Sequence, residues 1–190
     1  MSLKSFKTPL RYPGGKSRAC KKMEPFFPDL RDYDVYYEPF LGGGSVALHI
    51  TKKYPKLKIV VNDLYEPLYN FWLQLQVNGD YVHEELLQLK SRYPDRGSAR
   101  GLFLDAKEKL YDLDITDKDR AVCFYIINKC SFSGLTESSS FSEQASDANF
   151  SMRGIDKLPV YSKLIKDWYI TNVDYKVCLL YTSPSPRDLA

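Results

Sequence analysis

Residues 34–63 restrict the fold of this chain more than any other stretch. Asp34-Val35-Tyr36-Tyr37-Glu38 is a short β-branched and aromatic run, read as a strand, that passes through Pro39-Phe40-Leu41 into Gly42-Gly43-Gly44. Ser45 to Tyr54 then suits a helix, with Val46, Ala47, His49 and Ile50 inside it and Pro55 to end it. Leu57-Lys58-Ile59-Val60-Val61 reads as a second strand, closing at Asn62-Asp63. A strand, a glycine turn, a helix and another strand form a βαβ unit, which places Tyr36 and Val60 on adjacent parallel strands.

A helix is expected over Lys16–Phe27, stopped by Pro28. From Glu66 to Lys129 the pattern is helical, with Leu68, Phe71, Trp72 and Leu75 at three- and four-residue spacing and Leu86, Leu87 and Leu89 in a following helix. Two more helices are expected around Lys107–Tyr111 and Ala121–Ile127, the second capped by Thr116 or Asp117. Ser131–Ser151 is rich in Ser and reads as a long polar loop or hairpin. Ile155–Trp168 reads as a helix and Trp168–Val173 as a third strand. The expected architecture is an α/β core, residues 1–64 and 151–176, interrupted by a mostly helical insertion at 65–150.

Composition narrows the class. The chain has 190 residues, 44% of them hydrophobic, enough for a packed core and unlike a disordered tail. No apolar run approaches the roughly 18 to 20 residues of a membrane span, so a cytoplasmic protein is expected. Cys20, Cys123, Cys130 and Cys178 form no CxxC pair, and His49 and His83 lie far apart, so neither a zinc site nor a disulfide framework is expected. A net charge of +3 permits a nucleic-acid partner without demanding one.

Gly42-Gly43-Gly44-Ser45-Val46-Ala47 satisfies G-x-G-x-x-A between strand and helix, and Asp63 follows about 20 residues on at the next strand tip. Such glycines let a ligand approach the backbone, and such a carboxylate can accept both hydroxyls of an adenosine ribose. The plainer alternative is a tight helix entry with Asp63 at the surface. Glu38 bears on the ligand, because an acid beside this turn repels a pyrophosphate but suits the ammonium and sulfonium of S-adenosylmethionine. Gly15-Lys16-Ser17 is not a phosphate loop, since Leu10 stands where G-x-x-x-x-G-K-S needs glycine. Lys16 can instead meet a ligand carboxylate, and Tyr12 can offer an aromatic face.

Four segments in order, Tyr12-Pro13-Gly14-Gly15-Lys16, Glu38-Pro39-Phe40-Leu41-Gly42-Gly43-Gly44-Ser45-Val46, Asn62-Asp63 and Ile127-Asn128-Lys129-Cys130-Ser131-Phe132-Ser133-Gly134-Leu135, resemble the Dam-type adenine-N6 DNA methyltransferases. Asn149-Phe150 is similar to their later F-N, and the likeness covers about residues 8 to 176. It implies a Rossmann-like S-adenosylmethionine-dependent methyltransferase core, incomplete here, with a helical target-recognition insertion, and double-stranded DNA as partner. It implies donor contacts from Tyr12 and Lys16, a methionine-side turn of Glu38, Pro39, Phe40, Gly42 and Gly44, a ribose acceptor in Asp63, and Asp174 and Tyr175 near the donor adenine. On the DNA side it suggests Phe132 and Leu135 as apolar wedges and Lys129 and Arg153 as phosphate contacts. Anchoring of a loop on the helical core is the plainer account of Phe132 and Leu135.

The D-P-P-Y tetrad that carries catalysis in that family does not occur in these 190 residues. Residues 177–190, with Ser183-Pro184-Ser185-Pro186, are expected to be a non-native tail resembling translated sequencing adaptor, and this chain is expected to bind donor weakly and not to methylate DNA. The parent would be a site-specific adenine methyltransferase, with a cognate restriction endonuclease as a further partner. A catalytically dead nucleotide- or DNA-binding module and an NAD-dependent oxidoreductase are the alternatives.

Overall fold

A computed structural model describes residues 7–134 and 139–177. Leu135 and the proposed tail from residue 178 onward lie outside the described residues. A single turn α1 (Cys20–Met23) precedes strand β1 (Val35–Glu38), helix α2 (Ser45–Lys53) and strand β2 (Lys58–Asn62). Helices α3 (Glu66–Val77), α4 (Gly79–Arg92), α5 (Arg96–Lys109) and α6 (Asp117–Cys130) follow. Three short helices, α7 (Glu143–Asn149), α8 (Met152–Ile155) and α9 (Leu158–Leu164), then lead to strand β3 (Tyr169–Thr171).

The expected βαβ unit is present. Strand β1 pairs in parallel with β2, Tyr36 opposite Ile59 and Tyr37 opposite Val60, and β2 pairs in parallel with β3, Val61 opposite Ile170. The sheet order is β1-β2-β3. Gly44, at φ +67°, turns the chain into α2 in the left-handed region that glycine adopts without strain. Ile59, Val60 and Val61 are buried in succession, as a parallel strand covered on both faces requires.

No strand interrupts α3 to α6, as the periodicity of that stretch implies. Helix α6 is the axis of the helical region: every residue from Ala121 to Cys130 is buried, and α3, α4, α5 and α7 pack around it. One continuous apolar core joins Ile59 and Val61 of the sheet to Leu68, Phe71, Phe124 and Ile155 of the helices.

Three expectations are corrected. The helix over Lys16–Phe27 shrinks to α1 and a 3-10 turn (Glu24–Phe26), because Pro25 has no N–H to continue an α-helical ladder. The polar stretch 131–151 is not all loop: Ser142 Oγ accepts from Ala145 N–H at 3.2 Å and starts α7, and among the described residues one antiparallel bridge joins Ser131 to Phe141. The helix over Ile155–Trp168 is divided into α8 and α9, with Pro159 in the first turn of α9, a position where its missing N–H costs nothing. Among the described residues no helix is long and apolar enough to cross a membrane, and no group of acids, histidines and cysteines is arranged to hold a metal.

Candidate functional site

The carboxyl ends of the three strands converge, which is where ligands bind in open parallel sheets. Asn62, the last residue of β2 and only 1% exposed, holds them together. Its Nδ2 donates to the carbonyls of Pro39 (3.2 Å) and Val173 (2.9 Å), while its Oδ1 accepts from Thr171 Oγ1 (2.8 Å) and Val173 N–H (2.9 Å). The sequence marks Asn62 as the close of the strand without giving it a role; a polar side chain ending a fully buried apolar strand was the available signal.

Asp63 lies one residue further. Its Oδ2 accepts from Gly42 N–H at 2.8 Å and its Oδ1 from Tyr65 N–H at 3.1 Å, so the carboxylate ties the tip of β2 to the glycine turn. The glycines serve close packing within the protein itself. A Cβ on Gly42 would sit 2.8 Å from Tyr12 Cε1 and one on Gly44 2.7 Å from Trp72 Cζ2. Trp72 Nε1 also donates to Gly42 O at 3.1 Å. Thr8 Oγ1 donates to Gly43 O, holding the N-terminal segment across the turn.

Between that segment and the turn is a hollow of about 170 Å³, lined by Tyr12, Lys16, Glu38, Phe40 and the three glycines. Pockets that enclose drug-sized ligands run from about 300 Å³ upward, so this one matches the amino-acid end of a larger molecule. Glu38 is partly buried and in no ion pair among the described residues. Tyr36 Oη donates to its Oε2 at 3.2 Å. Burial outweighs that bond and the Ala47 backbone N–H, and pushes the Glu38 carboxyl up to about 7. Lys16 Nζ, exposed, donates to Gly14 O at 2.8 Å. An unpaired carboxylate and an ammonium on one small hollow suit a zwitterion.

Phe40 (67% exposed) and Tyr175 (40% exposed) meet with ring centroids 5.4 Å apart, bringing the turn and the segment after β3 together at the surface. Asp174 Oδ1 accepts from Lys176 N–H at 2.8 Å, starting the turn that presents Tyr175. Pro39 contributes its carbonyl to Asn62. The residues expected on the donor side, Tyr12, Lys16, Glu38, Pro39, Phe40, Gly42, Gly44, Asp63, Asp174 and Tyr175, thus adjoin one end of the sheet.

Of the described residues expected on the DNA side, not all are at the surface. Phe132 is 65% exposed and Arg153 is exposed on α8, but Lys129 is buried within α6 at 8% exposure. Its Nζ lies 5.2 Å from the Tyr125 ring centroid, and burial together with the Arg11 charge pushes the ammonium down to about 8. The phosphate contact expected of Lys129 thus falls on a buried side chain, a depth the sequence did not reveal.

A larger hollow, about 890 Å³, opens at the opposite, amino end of β1 and β2 beside Leu30, Tyr33 and Tyr54. Two ion pairs border it, Arg31 with Asp29 and Lys53 with Glu24.

The fold and site define a class: a parallel α/β sheet presenting a glycine turn and two carboxylates at its carboxyl edge. The chain belongs to the family of D12 class N6 adenine-specific DNA methyltransferases, whose family model matches residues 12–185. It is similar to the type II methyltransferase M.MjaIII of Methanocaldococcus jannaschii, 26% identical over 142 residues, covering 71% of this chain and 48% of that protein. The chain spans about half the length of that curated relative.

Proposed function

We propose that this chain supplies the donor-binding and target-recognition parts of an enzyme that transfers a methyl group from S-adenosylmethionine to adenine N6 in DNA. The observation that carries the reading is Glu38: a partly buried carboxyl without a cationic partner among the described residues, on a hollow also lined by Lys16 and Tyr12. That donor set fits the methionine end of the ligand, whose ammonium would face Glu38 and whose carboxylate would face Lys16. Bound there, the donor supplies an electrophilic methyl group on sulfur. Tyr12 packs on the glycine turn and offers one aromatic wall of the hollow, and Asp63 and the Phe40–Tyr175 pair offer a hydroxyl acceptor and an aromatic surface to the adenosine end.

Further parts of the reading follow from the family. The three strands, ordered β3-β2-β1, match one half of a Rossmann-like sheet in which a fourth strand would lie beside β1. Phe132 and Arg153, both exposed, would face double-stranded DNA, where a target base must leave the stack. Because the relative is named a type II methyltransferase, the setting proposed is restriction-modification in the cytoplasm, beside an endonuclease of the same specificity.

Calorimetry tests the reading. S-adenosylhomocysteine is expected to bind and NAD not to, with binding lost in Asp63→Ala, which frees the Gly42 amide. Binding of NAD in preference, or an unchanged affinity in the variant, would falsify it.

A further inference from the structure

The donor-side segment and the recognition segment grip one another through a single buried amide. Asn128, 1% exposed in α6, takes both backbone polar groups of Arg11. Its Oδ1 accepts from Arg11 N–H at 2.9 Å and its Nδ2 donates to Arg11 O at 2.7 Å. The same Nδ2 donates to Gly134 O at 3.1 Å.

Arg11 Nη1 completes the contact on Ser131 O at 2.6 Å. Ser133 and Gly134 are both left-handed, at φ +58° and +75°, which folds the recognition segment back onto residue 11. A Cβ on Gly134 would stand 2.7 Å from both Arg11 Cβ and Arg11 O. One residue beyond Arg11, the Tyr12 ring lies on Gly42; two residues before Gly134, Phe132 projects to solvent.

We propose that Asn128 is a positioning residue that makes donor binding at the Tyr12 hollow and DNA binding at the Phe132 segment mutually dependent. The inference rests on the functional reading above. A ligand that fixes Phe132 also fixes residues 131–134, and through Asn128 and Gly134 it fixes Arg11 and the ring of Tyr12. The same chain of contacts works in reverse, since coupling between two binding sites is reciprocal. Asn128 touches neither ligand.

The test is calorimetry of the whole 190-residue chain with S-adenosylhomocysteine, free and saturated with a short adenine-containing duplex, and the converse titration. DNA is expected to tighten the analogue by about fivefold or more, and the analogue to tighten DNA by the same factor. Asn128→Ala is expected to bring that factor to one while each ligand alone still binds; a merely structural asparagine would weaken both ligands and leave the factor intact. A wild-type factor of one, or a variant that keeps the wild-type factor, overturns the proposal. If Asn128→Ala does not fold, Gly134→Ala decides by the same criterion, and amide exchange of wild-type Gly15, whose N–H bonds Tyr12 O, must slow when DNA is added. Failure of the wild-type chain to bind either ligand overturns the functional reading and this inference together, whereas binding without coupling overturns this inference alone.

Discussion

Glu38 meets two demands that oppose each other. An anion suits a cationic ligand, but the same burial that strengthens such a contact disfavours the charge while no cation is present. Its folded carboxyl is raised to about 7 from an ordinary 4.5, so the folded state holds the proton more tightly than the unfolded chain does. The stabilisation is therefore full below about pH 4.5 and is lost as pH rises through about 7. The shift bounds that loss at about 3 kcal/mol. Glu38→Gln is expected to flatten the dependence of urea-unfolding stability on pH between these limits and to weaken S-adenosylhomocysteine by tenfold or more, as about 1.4 kcal/mol of lost charge contact would do. An unchanged pH slope in the variant would show that another group carries it. Glu38 itself was legible from its place at a strand end before glycines; its depth was not, because burial depends on Tyr36 and the α2 backbone folded over it.

At the scale of elements, α6 shows what local sequence controls. Thr116 starts the helix: its Oγ1 accepts from Asp119 N–H at 3.3 Å and donates to Asp119 Oδ2 at 2.6 Å. Either Thr116 or Asp117 was readable as the cap, and the backbone decides for Thr116, which is extended while Asp117 is helical. Thr116→Ala is expected to cost about 1 kcal/mol in urea-unfolding stability with little effect on donor-analogue affinity. The other end of α6 runs past the helix expected around Ala121–Ile127. Asn128 and Lys129 continue it, and what their polarity did not tell is that both are buried, because a helix packed on all sides turns every residue inward.

At the scale of the molecule, the helical region and the sheet share one core, and Trp72 is the joint. Its ring is fully buried, lies 5.7 Å from Trp168 and fits against Gly44, while Trp168 Nε1 donates to Thr51 Oγ1 at 2.8 Å. Removing a buried indole costs about 3–5 kcal/mol, and here it also frees the Gly42 carbonyl. Trp72→Ala is expected to lower the urea-unfolding free energy by that amount and to weaken S-adenosylhomocysteine as well, although residue 72 lies outside the glycine turn. Wild-type transitions followed by far-ultraviolet circular dichroism and by fluorescence should coincide, since sheet and helices among the described residues share one core. Two resolved transitions would contradict a shared core.

Amino-acid order alone determined the parallel βαβ unit, the glycine turn flanked by Glu38 and Asp63, and the strand-free run that follows, because each rests on local signals of residue spacing, turn chemistry and strand propensity. Family membership was legible for the same reason, in four short segments met in order. What only the tertiary structure decided is which groups touch across long separations. Residue 11 is held by residue 128, residue 42 by residues 12, 63 and 72, and residue 62 by residues 39, 171 and 173. No spacing rule reports such pairings. They follow from how the α6 bundle and the sheet close on a common core, and that closure also sets the burial of Glu38, Asn128 and Lys129 on which their chemistry depends.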